Sequence, residues 1–258
     1  MKSELTITLL QADIKACDRS INLAHYTELL KGRAEGTDVL LLPEMFPTGF
    51  QMDSAYFEPH RGESFAWMQA VAKQYDCAVG GSIAVQDGGR NYNRFYLVDP
   101  SGTYVYYDKR NLFLLAGEEK VFTAGSERVV VNHHGWRLML QTCFDLRFPE
   151  TARSRGDYDV LLYTASWPSA RDFAWRSLLV ARAIENQCYV AAVNRVGADA
   201  KGVAHIGHSV VLDFVGQPVS SLPDGVEGVL QARCRREMLG KFRESFPLFS
   251  ANREKELI

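Results

Sequence analysis

The sequence predicts an α/β fold of two sheets packed face to face, with helices on their outer sides. Three observations lead to it. Strand-like runs rich in Val, Ile, Leu and Tyr recur along all 258 residues. Helical spacing separates the first three of those runs. Both patterns continue to the two ends with no linker, low-complexity tract or fixed-period repeat between them. Strands this numerous and this apolar need a second sheet to cover their inner faces. One domain spanning residues 1–258 is therefore expected.

Taken in order, the first strands are residues 5–10, 39–42 and 77–85. Gly80-Gly81, inside the third, reads as a close-packing site or a bulge. Residues 94–98 and 104–107 flank Asp99-Pro-Ser-Gly102, which has proline and glycine where a turn needs them. Residues 129–131 and 137–141 flank His133-His-Gly135 in the same way, and 209–212 and 218–222 flank Phe214-Val-Gly216. Runs 160–163 and 189–193 read as fully buried, and 228–232 is a last strand. Helices are expected at 22–34 (Leu23, Tyr26, Leu30, Ala34), 63–75 (Phe65, Met68, Ala72, Tyr75) and 169–187 (Ala174, Leu178, Ala181, Glu185). From about residue 240 onward neither period is strong. Phe242, Phe246, Leu248 and Phe249 are too apolar for a free tail, so 240–258 is expected to dock on the body or on a partner subunit.

Composition narrows the function classes. With 47% hydrophobic and 23% charged residues and a net charge of −2, nothing resembles the basic footprint of a nucleic-acid or anionic-membrane binder. Arg233, Arg235, Arg236, Lys241 and Arg243 are interleaved with Glu237 and Glu244 and read as a solvated face. No apolar run approaches the ~20 residues of a membrane helix. The start Met1-Lys-Ser-Glu leads directly into a strand without a signal-like apolar core, so a cytoplasmic protein is expected. The five cysteines are scattered with no C-x-x-C pair, which fits reduced thiols rather than a disulfide framework or zinc knuckle.

The chemistry gathers at strand ends. In Leu138-Met-Leu-Gln-Thr-Cys-Phe-Asp-Leu-Arg-Phe-Pro-Glu150, an apolar strand ends at Cys143, a turn follows, and Pro149 opens a helix. A thiol there stands out of the sheet edge, and the Phe144 N–H that follows can face a developing oxyanion. The strand Asp38-Val-Leu-Leu-Leu-Pro43 delivers Glu44, and Thr103-Tyr-Val-Tyr-Tyr-Asp108 delivers Lys109. Each has an ordinary alternative: a packed thiol, an exposed cap, a surface charge. Three ionisable groups directly after buried strands weigh against those alternatives, because α/β sites lie beyond the strands' carboxyl ends.

Competing chemistries find less support. None of the six histidines stands at a clear strand end to serve a papain-like thiol, and no G-x-G-x-x-G or P-loop is present. His205-x-x-His208 has metal-ligand spacing but no third ligand, so no metal is expected there. Arg182, Glu185 and Asn186, on an otherwise apolar helix, read as a mutually satisfied polar cluster.

Pro43-Glu44, Tyr107-Asp-Lys109 and Cys143-Phe-Asp-Leu-Arg-Phe-Pro149 resemble, in order and spacing, the three catalytic signatures of the nitrilase superfamily of carbon–nitrogen hydrolases. The resemblance continues through Ala181-Arg-Ala-Ile-Glu-Asn-Gln187 and Gly207-His-Ser209. Leu42-Pro-Glu-Met-Phe46, Asn93-Arg-Phe95 and Asn194-Arg-Val-Gly197 are most similar to the ω-amidase branch. What this implies is a four-layer α-β-β-α sandwich, a Glu44-Lys109-Cys143 triad that uses no cofactor, and subunits paired as a homodimer. It also implies that Glu118, in Ala116-Gly-Glu-Glu-Lys120, is a second active-site carboxylate. Phe144 departs from the pattern, since a tyrosine is common there.

The function expected is hydrolysis of a small ω-amide, such as 2-oxoglutaramate or 2-oxosuccinamate, through a cysteine thioester. A related amidase or N-carbamoyl hydrolase is the alternative within enzymes. A catalytically silent binding protein is the alternative outside them, disfavoured by an intact triad. An acidic substrate needs a cation for its far carboxylate. Arg171, after the 160–163 strand and its Pro168 turn, and Arg195, after the 189–193 strand, are the candidates, with Trp167 as a pocket wall.

Overall fold

Strand alternation sets the layers. The computed structural model describes residues 1–251. The first half of the chain supplies β1 (Glu4–Gln11), β2 (Val39–Leu41), a two-residue β3 (Glu58–Pro59), β4 (Ala78–Asp87), β5 (Arg90–Val98) and β6 (Tyr104–Asp108), with α1 (Arg19–Leu30) and α2 (Glu63–Tyr75) between them. There follow β7 (Val130–His133), β8 (Trp136–Thr142), α3 (Pro149–Ala152), β9 (Val160–Ala165), α4 (Asp172–Asn186) and β10 (Tyr189–Asn194). A small hairpin of β11 (Val196–Ala198) and β12 (Ala204–Ile206) precedes β13 (Val210–Leu212), β14 (Pro218–Ser221), β15 (Gly228–Arg235), α5 (Arg236–Ser245) and α6 (Leu248–Ala251).

Among the described residues, one sheet runs in the order β15-β1-β2-β4-β5-β6 and the other β14-β13-β10-β9-β8-β7. Leu5, Ile7, Leu9, Val39 and Leu41 of the first sheet meet Leu138, Leu140, Val160, Leu162 and Val193 of the second in one core. The opposite faces are also apolar. Leu10, Leu40 and Val79 pack under α1 and α2, whereas Met139, Leu161 and Val190 pack under α4. Residues buried on both faces of a sheet explain why these strands read as continuous apolar runs. Each such side chain contributes about 1.5–3 kcal/mol. The expected four-layer sandwich is the fold.

β1, β2 and β4 run parallel, as do β8, β9 and β10. β5 is antiparallel to β4 and β6 to β5, so β6 points the same way as β2. The residues after β2, β6, β8 and β9 therefore leave at strand carboxyl ends. Gly80 and Gly81 sit in unbroken register with Leu97 and Tyr96. A Cβ on Gly81 would lie 2.9 Å from Leu42 Cβ and 3.0 Å from Phe46 Cδ1. Close packing, not a bulge, is the reason for glycine there, and it seats the segment that carries Glu44.

Several elements differ from expectation. β5 begins at Arg90, not at 94: its polar first residues run from exposed Arg90 to buried Asn93 and are held by pairing with Asp87–Ala84 of β4, which apolar periodicity does not register. α1 begins at Arg19, where the Asp18 carboxylate accepts from Ile21 N, and ends at Leu30. The 169–187 segment is a 3₁₀ turn (Ser169–Arg171) followed by α4, and its buried stripe is Trp175, Leu179, Arg182, Ala183 and Asn186. That is one residue on from the predicted face, since Arg182 and Asn186 are buried by hydrogen bonds. Helix α5 was not predicted. Phe242 nonetheless packs on Phe214, with ring centroids 4.8 Å apart, and Arg243 reaches Asp159 Oδ1 (2.9 Å), Tyr158 O and Gln187 O. Up to residue 251 the C-terminal segment docks on its own body, and the rest of 240–258 lies outside the described residues.

Candidate active site

Burial of charge organises the site. Lys109, 1% exposed, extends from the end of β6, where its N–H donates to Asn93 O. Its Nζ lies 2.9 Å from Glu44 Oε1 and 3.1 and 2.9 Å from the two oxygens of Glu118. Both carboxylates are fully buried. An ammonium taken out of water loses several kcal/mol of hydration, so it persists only among opposite charges. Burial pushes the Lys109 pKa down, but Glu118 and Glu44 overcome it and hold the ammonium well above its ordinary value.

The remaining carboxylate lone pairs are also satisfied. Asn93 Nδ2 donates to Glu44 Oε1 (2.8 Å) and to Glu118 Oε1 (3.2 Å). Ser166 N donates to Glu44 Oε2 at 3.0 Å, and Phe113 N to Glu118 Oε2 at 2.6 Å. Glu44 N in turn donates to Ala165 O. Glu44, carried by the first sheet, is thereby tied through backbone and side chain to the end of β9 in the second.

Cys143 ends β8 and opens a 3₁₀ turn with φ of 46°. That left-handed backbone costs a non-glycine residue about 1–3 kcal/mol and lasts only where neighbours enforce it. Asp145, fully buried and not singled out in the sequence, is the enforcer. It accepts from Thr142 N (2.9 Å), Tyr107 OH (2.7 Å) and Asn111 N (2.9 Å), joining the Cys143 turn to the segment after Lys109. Arg182 adds a hydrogen bond from α4 to Leu146 O at 2.6 Å and pairs with Glu185, as the polar-cluster reading expects. The Phe144 N–H occupies a first-turn position with no acceptor inside its own helix. The Phe144 ring stacks between Phe113 and Phe148, at 5.0 and 5.3 Å, in apolar surroundings.

The thiol is pushed well above its ordinary pKa, by burial first and then by the Glu44 charge; Lys109 and a Ser166 N–H pull it back only in part. Burial thus outweighs the neighbouring Lys109 ammonium and favours the neutral thiol.

A cavity of about 520 Å³ opens above these groups, with Glu44, Lys109 and Cys143 at its floor. Trp167 lines the cavity and also packs on Trp175, 5.5 Å between ring centroids. Arg171 lines the cavity with its guanidinium 5.2 Å from the Phe113 ring centroid. Arg195 does not line it. That side chain is fully buried, pairs with Asp13 at 3.0 Å and donates to Ile14 O and Ala198 O. Its expected substrate role is corrected to a structural one: the strand end is right, but the side chain turns inward to the start of the chain. Arg147, missed in the sequence, lines the cavity with its guanidinium 5.1 Å from the Trp167 ring centroid. Only its place four residues after Cys143, one helical turn, hinted at it. His205 and His208 do not converge: His205 faces Val203 O and Ser166, and His208 faces Asp172 and Asp224.

The charge cluster makes a stability prediction. Lys109→Met would strand two buried carboxylates and should cost about 3–5 kcal/mol. Adding Glu118→Gln should recover part of that loss, and Glu44→Gln alone should cost far less because Lys109 keeps Glu118. Urea melts of the three variants check the order. A Lys109→Met protein as stable as wild type would mean that the cluster is not charged.

Comparison with known proteins places this geometry. The carbon–nitrogen hydrolase family model matches residues 6–244. An ω-amidase of Yersinia enterocolitica is 44% identical over 96% of each chain, and a 2-oxoglutaramate amidase of Bacillus subtilis is 34% identical over 95% of this chain and 96% of its own. The solved structure of a carbon–nitrogen hydrolase superfamily protein from Xanthomonas campestris, which carries an arsenic adduct in its active site, superposes with a TM-score of 0.94 at 38% identity over 97% of both chains. With the fold, the buried acid–base cluster and these relatives in agreement, the chain belongs to the carbon–nitrogen hydrolase family, the nitrilase superfamily.

Proposed function

We propose that this protein hydrolyses the terminal amide of a short dicarboxylic acid monoamide, such as 2-oxoglutaramate or 2-oxosuccinamate, through a thioester at Cys143. The observation that carries the reading is that Cys143 lines one cavity with Glu44 and Lys109, the Lys109 ammonium lying 2.9 Å from the Glu44 carboxylate. Glu44 takes the thiol proton as sulfur attacks the amide carbon. The Lys109 ammonium and the Phe144 N–H then stabilise the oxyanion. Glu44 returns the proton to nitrogen, the C–N bond breaks and ammonia leaves. It next takes a proton from water, whose oxygen attacks the thioester; the C–S bond breaks and the thiol recovers its proton. Glu118 keeps Lys109 charged and in place throughout. No step requires a cofactor.

The names of the relatives support the substrate class, and so do two cavity arginines. Among the described residues, neither Arg147 nor Arg171 has a carboxylate partner, and each rests on an aromatic wall. A cation held over a ring but otherwise unpaired suits a ligand carboxylate, which a guanidinium grips through two oxygens. The five cysteines are all free thiols, consistent with the reducing cytoplasm. Subunit pairing is proposed through the outer face of α4, where Phe173 is 80% and Ile184 50% exposed, together with Phe246.

Rapid quench of 2-oxoglutaramate turnover should trap an acyl adduct that maps to Cys143, with ammonia released in step with acid; Cys143→Ala should abolish both. Retention of near-normal turnover in Cys143→Ala would end this mechanism. Replacing Arg147 and Arg171 with Met should raise KM for the acidic amide by roughly 10–100-fold, from loss of ~1.5–3 kcal/mol of charged hydrogen bonding, and hardly affect a neutral amide of equal length. Light scattering should give twice the chain mass, falling to one chain mass in Phe173→Asp; a monomeric wild type would exclude the pairing.

A further inference from the structure

Beside Glu44 stands a pair of polar side chains that the thioester chemistry does not use. Ser166 follows β9, and its N–H is the group bonded to Glu44 Oε2. Ser166 therefore lines the cavity next to the carboxylate that, in the proposed mechanism, protonates the departing nitrogen. Ser166 Oγ is 3.4 Å from His205 Nε2 on β12, and His205 Nδ1 is 2.9 Å from Val203 O. A carbonyl oxygen can only accept, so Nδ1 carries the ring proton and Nε2 presents its lone pair. The Ser166 hydroxyl must then donate to Nε2, which leaves the Ser166 oxygen with lone pairs only. Both residues line the same cavity as Cys143, and His205 is only 4% exposed. Burial, and then the nearby Arg195 charge, lower the His205 pKa to about 4, so the ring stays neutral at ordinary pH.

We propose that Ser166 Oγ, oriented by His205, and the Glu44 carboxylate together form a leaving-amine subsite that accepts the two N–H groups of a primary carboxamide. This rests on the amidase reading and adds to it a selection among amides. A primary amide has two N–H donors to satisfy two fixed acceptors. An N-alkyl amide has one and puts a carbon against the other. An ester has none. The product carboxylate puts an acceptor oxygen where the amide nitrogen stood, against the Glu44 and Ser166 oxygens, which favours its release once ammonia has gone. Ser166 touches the substrate in this arrangement, whereas His205 is a positioning residue that acts through it.

The test compares the primary amide, the N-methyl amide and the methyl ester of one acid on the full-length enzyme. Ser166→Ala should lower the amide-to-ester ratio of kcat/KM about 3–10-fold, the range of one neutral hydrogen bond, and should narrow the gap between primary and N-methyl amides. His205→Leu should reproduce that change without adding to it in the double variant. His205→Gln, whose Oε1 can stand near the Nε2 position, should restore much of the ratio. An unchanged ratio in Ser166→Ala, or equal losses on amide and ester, overturns the subsite and leaves the amidase reading intact. Wild-type enzyme that turns over neither amide overturns both. Should His205→Leu fail to fold, Ser166→Ala decides alone.

Discussion

The structure depends on one buried ammonium. Lys109 lies between Glu44 and Glu118, all three buried away from the surface. Such a group of charges is expensive to assemble and destabilising to break, because each member offsets the desolvation of the others. Its members come from the ends of β2 and β6 and from the 3₁₀ turn Glu118–Lys120, with Asn93 of β5 donating to both carboxylates. Satisfying the cluster therefore fixes where two strand ends stop and how the 109–118 segment folds back over them. The Glu44 contacts with Ala165 O and Ser166 N extend that constraint to the second sheet.

The same economy shapes the thiol. A buried cysteine beside a carboxylate resists ionisation, so the site does not store a thiolate. In the proposed mechanism the acceptor of its proton is already in place, and the sulfur becomes reactive as an electrophile draws it forward. The cost of the left-handed backbone at Cys143 is met by Asp145, whose hydrogen bonds to Thr142, Tyr107 and Asn111 leave the turn no relaxed alternative. Strain, acid–base pairing and oxyanion donor are thus properties of one short segment clamped between two others.

Above this floor, Phe113 and Trp167 line the cavity and provide the faces on which Arg171 and Arg147 lie. An aromatic face holds a guanidinium without neutralising it, so the positive charge stays available to a ligand. In the proposed function selectivity has two ends: arginines for the far carboxylate, and the acceptor oxygens of Ser166 and Glu44 for the amide nitrogen.

By itself the sequence determined the layer architecture, because continuous apolar strands and amphipathic helices leave few ways to bury their faces. It also pointed to Glu44, Lys109 and Cys143 together, since each follows a buried strand, the first two in one sheet and Cys143 in the other. Tertiary structure decided what depends on side-chain direction. Arg195 and Arg171 both follow strand ends, yet one turns inward to Asp13 and the other faces the cavity. The polar start of β5, the buried stripe of α4 and the role of Asp145 were hidden for a related reason. Hydrophobic periodicity marks where apolar groups go, whereas a buried polar residue is placed by a partner far away in the chain, and that partner is known only once the chain has folded.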